Sequence, residues 1–225
     1  MRIAVLADPH SNLPALREVL KAVNEMKISK ILIAGDLVGY GPYPKEVVGV
    51  VRKLDATVVK GNHDNDVLTR DYSWMNRYAA RAAEWTSEML DQESLSYLKS
   101  LKDDEIIESE GKSIELCHGS PEDPLEYVEH ESRARELLER SKNDVIICGH
   151  THVPMIVRES GKLFLNPGGI GQPRDENPDA AFAVMDTSTL KAEIIRIPYN
   201  VSLVQNRIIE VGLPEFLASR LSMGI

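Results

Sequence analysis

Positive charge is scarce in this chain: 26 Lys and Arg stand against 35 Asp and Glu, a formal net charge of −9. Affinity for a polyphosphate backbone needs clustered cations that displace counterions, so extended nucleic-acid binding is not expected, and any phosphate must be held by a local site. Cysteine is nearly absent, with two residues among 225. Cys117 and Cys148 each end an apolar stretch, SIELC and DVIIC, where a free thiol behaves as a small buried hydrophobe. Neither is followed by the nearby arginine that a cysteine phosphatase needs to clamp phosphate, which sets thiol catalysis aside. Long apolar runs are missing too. The first, Ile3 to Ala7, follows a single basic residue and is too short for a signal h-region, and no segment reaches membrane-spanning length. A cytoplasmic protein with no membrane partner is expected; oligomeric state is not legible.

The chain does have 43% hydrophobic residues, enough for a sizeable core in one α/β domain over residues 1–225. Ile3 to Ala7, Ile31 to Ala34 and Ala56 to Val59 read as strands, and Leu13 to Met26 and Pro44 to Leu54 as helices between them. That alternation predicts parallel β-α-β packing. From about 65 to 101, Met75, Tyr78, Ala82, Trp85 and Met89 recur at helical spacing. A helical insertion packed on the domain is expected there, a role compatible with capping a substrate pocket. Short strand-like runs follow at Glu105 to Glu108, Ser113 to Cys117, Val145 to Cys148, Val153 to Val157, Leu163 to Leu165, Ala181 to Met185 and Ala192 to Ile195, with one helix at Ser132 to Arg140. So many strands with so few helices predict two packed sheets. Residues 201–221 form a helical tail, split by Gly212 and Pro214.

The chemistry collects at strand ends. Five of the six histidines, His10, His63, His118, His150 and His152, fall just after a strand-like run, and strand ends on one edge of an α/β sheet converge on a shared crevice. In order, Asp8 and His10 follow the first strand, Asp36 the second, and Asn62, His63 and Asp64 the third, before His118, His150 and His152. Alternation along an extended segment points Asp8 and His10 to one side, and likewise His150 and His152. Imidazole with carboxylate suits Zn, Mn, Fe, Co or Ni better than Ca, and the lack of thiolates argues for an open catalytic site over a closed structural one.

This order of motifs resembles the calcineurin-like metallophosphoesterase superfamily, with its D-x-H, G-D, G-N-H-[DE], H and G-H-x-H. Here they stand as Asp8-Pro9-His10, Gly35-Asp36, Gly61-Asn62-His63-Asp64, His118 and Gly149-His150-Thr151-His152. The match runs from residue 3 to about 186, and Ser11-Asn12 with Asn166-Pro167-Gly168-Gly169 and the residues through Arg174 are similar to the small prokaryotic phosphodiesterase branch. The resemblance implies a four-layer α/β/β/α sandwich of two mixed sheets flanked by helices. It implies two divalent transition-metal ions, Mn, Fe, Ni, Co or Zn with Mn favoured. Asp8, His10, Asp36 and His152 would hold one and Asp36, Asn62, His118 and His150 the other. His63 would protonate the leaving oxygen, and Asp64 would orient it. The implied reaction is phosphodiester hydrolysis by a dimetal-bound hydroxide, on a small phosphate ester or nucleotide. Phosphomonoesterase and dinucleoside polyphosphate hydrolase are alternatives, with a non-catalytic scaffold or nucleotide-binding module behind them.

Physical chemistry supports that division of labour. Two divalent ions about 3.5–4 Å apart lower the pKa of a shared water and neutralise phosphoryl charge. A histidine near its unperturbed pKa of about 6.5 can supply a proton at neutral pH, the role expected of His63. One departure stands out. In the protein serine/threonine phosphatase branch the Gly-Asp motif leads into Asp-Arg-Gly, but here it reads Gly35-Asp36-Leu37-Val38, without that arginine. Arg174 is expected mainly to close its Gly/Pro-rich loop, and His130 to sit exposed at a helix start.

Overall fold

In the computed structural model, which describes residues 1–225, the first half of the chain runs β1 (Arg2–Leu6), α1 (Leu13–Glu25), β2 (Lys30–Ile33), α2 (Pro44–Val51) and β3 (Ala56–Val58). The strand pattern is continuous and apolar because both faces are covered. Ala4 and Leu6 of β1 pack with Leu16, Val19 and Val23 of α1 and with Val47, Val48 and Val51 of α2. Ile3, Val5 and Ala7 look the other way, into a second core. Three helices follow: α3 (Asn62–Thr69), α4 (Arg77–Met89) and α5 (Gln92–Ser100). The insertion thus begins three residues before the expected position 65. Asp64 is the reason, since its Oδ2 accepts from Gly61 N at 3.0 Å and satisfies an orphan donor at the start of α3.

The second half contributes β4 (Asp104–Ser109), β5 (Lys112–Cys117), α6 (Glu131–Arg140), β6 (Val145–Ile147), β7 (Met155–Glu159), β8 (Lys162–Asn166), β9 (Ala180–Asp186) and β10 (Lys191–Ile197). Helices α7 (Val201–Glu210) and α8 (Glu215–Ser219) complete it, parted near Gly212 and Pro214 as expected. Two mixed five-stranded sheets result, ordered β10-β9-β1-β2-β3 and β4-β5-β6-β8-β7. Their inner faces share one core, in which Ile3, Val5 and Leu32 meet Ile114, Ile147 and Leu165. Helix α6 covers the far face of the second sheet, where Leu137 and Leu138 join Phe164, Cys117 and Cys148. Helices α1 and α2 cover the far face of the first, and the expected four layers are present.

Register explains where the site falls. Strands β1, β2 and β3 are parallel neighbours, and so are β5, β6 and β8. The carboxyl ends of β1, β2, β3, β5 and β6 therefore open on one edge of the sandwich, and the predicted donors sit in the loops leaving them.

Candidate metal centre

The loops that carry the donors leave the strands abruptly. Asp8, His10, Asp36, His150 and His152 all have positive φ, between 42° and 67°. The expected alternation along an extended segment does not hold, because Asp8, His10, His150 and His152 are each left-handed, a conformation that costs non-glycine residues about 1–2 kcal/mol apiece. Close approach also dictates residue type. A Cβ on Gly61 would lie 2.1 Å from Asp36 Oδ1, so only glycine lets the loop after β3 reach the loop after β2.

Asp8, His10, Asp36, His118 and His152 are each no more than 1% exposed, and His150, His63 and Asn62 are also buried. Their ligand atoms fall into two sets about one carboxylate. Asp36 Oδ2 lies 3.5 Å from His10 Nε2 and 3.3 Å from His118 Nε2. On the first side, His152 Nε2 is 3.0 Å from His10 Nε2 and 3.4 Å from Asp8 Oδ1. On the second, His118 Nε2 is 2.9 Å from Asn62 Oδ1 and 3.0 Å from His150 Nδ1. The structure thus brings together all seven residues expected to bind metal, in the two predicted groupings.

Hydrogen bonding shows what these atoms require. His10, His118 and His152 each place Nδ1 within 2.6–2.9 Å of a main-chain oxygen, of Val38, Ala34 and Gln172 respectively. A carbonyl only accepts, so each Nδ1 carries the hydrogen and, in a neutral ring, each Nε2 presents a lone pair. Lone pairs on His10 and His152 then face each other at 3.0 Å, and that of His118 faces the Asn62 carbonyl oxygen. Such contacts repel unless a positive charge lies between them. Donors held about 2.0–2.2 Å from one shared divalent ion have this mutual spacing, so the residues present fit a metal.

With the protein's own charges alone, the groups compensate by moving protons. Burial opposes a charged His118, yet the Asp36 carboxylate beside it pushes that imidazole up to about 10. Burial lifts Asp8 to about 8. Asp36, although buried, stays well below the usual carboxylate range because His118, His63 and His10 surround it. Burial holds His10 and His152 well below the ordinary histidine value and His150 near 3.

Two expectations change here. Burial lowers His63 to about 4, so its ring is neutral at pH 7, not poised near 6.5. Asp64 does not touch that ring either. Its oxygens accept from the main-chain nitrogens of Val38 and Gly61, at 3.1 and 3.0 Å, while His63 Nδ1 is buried without a partner. Asp64 therefore fixes the two loops on either side of His63, whose own N–H donates to Asp36 Oδ1 at 2.8 Å. The charge missing after Asp36 arrives from elsewhere. The positive charge of Arg174 depresses the proton affinity of Asp8, His10, His63, His150 and His152. It reaches Gln172 Oε1 at 3.2 Å and Tyr40 Oη at 3.4 Å, and no carboxylate pairs with it. Tyr40 in turn lies 4.7 Å from the His10 ring and 4.5 Å from the His63 ring, and Tyr127 covers His150 at 3.9 Å. No sequence spacing signals the pairing of residues 40 and 174. His130, as expected, is exposed at the N-cap of α6.

A buried crevice of Asp, Asn and His donors at parallel strand ends, between two sheets, defines a metal-dependent hydrolase of α/β class. The chain belongs to the calcineurin-like phosphoesterase superfamily, whose domain matches residues 1–190. It is 36% identical over 242 residues to the uncharacterised protein MJ0912 of Methanocaldococcus jannaschii, covering 99% of this chain and 98% of that one. Phosphodiesterase YfcE of Escherichia coli is 25% identical over 84% of this chain and 90% of its own length. Among solved structures, a metallophosphoesterase from Sphaerobacter thermophilus superposes with a TM-score of 0.88 at 34% identity, covering 100% of this chain and 99% of that one. No helix is long and apolar enough to cross a membrane.

Proposed function

We propose that the protein is a metal-dependent phosphodiesterase acting on a small phosphate ester or nucleotide, with two divalent transition-metal ions, manganese favoured, in the two donor sets. The observation that carries this reading is Asp36 Oδ2 standing 3.5 and 3.3 Å from one imidazole of each set, the position of a shared ligand. When bound, such ions would activate a water and neutralise charge on the phosphoryl oxygens. Asp8, His10 and His152 would complete one ion's ligands, and Asn62, His118 and His150 the other's. His63, which shares the same crevice, is assigned to the leaving oxygen. A neutral imidazole still carries one N–H, and the negative charge of an arriving phosphate raises the ring's proton affinity. Arg174, without a carboxylate partner and beside Tyr40, is assigned to a phosphoryl oxygen, the task guanidinium geometry suits. Preference for a diester is supported by the similarity to a protein named phosphodiesterase YfcE.

The test strips the protein of metal and assays bis-p-nitrophenyl phosphate against p-nitrophenyl phosphate with Mn, Ni, Co, Zn or Mg restored. Metal-dependent turnover of the diester above the monoester, lost in Asp36→Asn and strongly reduced in His63→Ala, is the expected outcome. No turnover of either ester with any metal, while metal still binds, overturns the reading.

A further inference from the structure

Beside Asn62 the surface opens into a cleft of about 440 Å³, enough for a nucleoside. Its near end is built from Gly61 and Asn62, so whatever occupies it adjoins the second donor set. Its lining is mostly polar, but two large apolar side chains stand in it. Trp74 and Leu125 are 50% and 52% exposed, and both line this cleft, Trp74 from the segment between α3 and α4 and Leu125 from the loop after β5. Large exposed side chains facing one concavity mark a binding surface more often than a solvated one.

The indole does not float free. Its Nε1 donates to Asp66 Oδ1 at 3.3 Å, which holds the ring at the cleft wall. Asp66 is only 5% exposed, and its carboxylate lies beside the Asn62 side chain, so it ties the cleft wall to the second donor set. Charge narrows the occupant further. Lys60 supplies the cleft's cation, and Asp103 at 2.9 Å already pairs with it, while Asp66 and Asp71 add negative charge. A second phosphate is therefore disfavoured here, and a neutral planar ring bearing N–H donors is favoured.

We infer that this cleft receives the nucleoside half of the substrate, with Trp74, held in place by Asp66, as the stacking wall for its base. The inference rests on the phosphodiesterase reading only for where the phosphate sits. Base stacking on an aromatic side chain has an energy that accounts for about a tenfold gain in affinity. Calorimetry on the manganese-loaded protein should show 5′-AMP binding about tenfold more tightly than ribose 5-phosphate, with inorganic phosphate weaker still. Trp74→Ala should erase the AMP preference, and Trp74→Phe should keep most of it. In Trp85→Phe, where Trp74 is the remaining indole, AMP should quench fluorescence and ribose 5-phosphate should not. Equal affinity for AMP and ribose 5-phosphate in the wild type overturns the inference, and so does a preference that survives Trp74→Ala. Turnover of bis-p-nitrophenyl phosphate, run beside these titrations, separates the two ideas. Turnover without AMP preference sinks the cleft alone; AMP preference without turnover leaves the cleft standing and sinks the phosphodiesterase.

Discussion

The two flanks of the donor crevice are unlike. On one, Tyr40, which Arg174 reaches at 3.4 Å, packs with the helical tail, where Val204, Ile208, Leu213, Leu217 and Leu221 meet Ala79 and Ala82 of α4, and the cavity there is only about 10 Å³. On the other, Asn62 gives onto an open, acidic cleft walled by Trp74 and Leu125. The closed flank offers an unpaired cation and the open flank offers none. On the proposed reading, a protein of net charge −9 would thus concentrate its attraction for phosphate at one point and leave the neighbouring wall to something uncharged.

The severest way to break this comparison is at its midline. Asp36→Asn weakens the ligand common to both sides, so kcat should fall by about 10²–10³-fold or more, and both metal equivalents should bind less tightly by calorimetry. Loss of one equivalent alone would show that the two sets are independent. The closed flank is tested through its packing. Leu217 is 1% exposed, and Leu217→Ala should cost about 2–5 kcal/mol in urea denaturation. A change below about 0.5 kcal/mol would show that the tail is loosely held. Arg174→Gln should raise KM about tenfold with a smaller change in kcat, and Arg174→Lys should recover part of the loss, since a point charge replaces a forked donor. An unchanged KM would leave the closed flank without its charge-based role.

Protons sharpen the comparison last. His118, at about 10, and Asp8, at about 8, hold protons at pH 7 that an incoming ion must displace. Metal affinity should therefore rise as pH rises through 7 toward 8, because less proton competition remains. Calorimetry in buffers of different ionisation heat should count at least one proton released at pH 7, and a pH-independent affinity between 6 and 8 would contradict this.

Much of this was legible in the chain. Asp8, Asp36, Asn62 and the histidines announce themselves because strand ends are visible as apolar runs and donors follow them. What stayed hidden is what spacing does not encode. Residue identity says nothing of the left-handed turns at His10 and His152, and alternation, which points His150 and His152 to one side, misses that they fall in different donor sets. Asp64 beside His63 in sequence looked like its partner, but the carboxylate satisfies loop nitrogens instead. Arg174 finds Tyr40 across 134 positions, a pairing no local pattern reveals. The burial that shifts His63 to about 4 is likewise a property of the assembled crevice.

The left-handed donor loops also bear on how this protein would respond to selection. Five of the proposed ligand residues hold a backbone conformation that glycine adopts freely, and their imidazoles and carboxylates crowd one another unless a cation joins them. Random variants screened for heat tolerance in chelator should gain stability first at Asp8, His10, Asp36, His150 and His152, by drift toward glycine or asparagine, and lose activity as they do. The same library screened with manganese present should keep those positions and improve elsewhere. Thermal hardiness and catalytic competence would diverge in one tube and travel together in the other, with the buffer's metal content deciding which lineage survives.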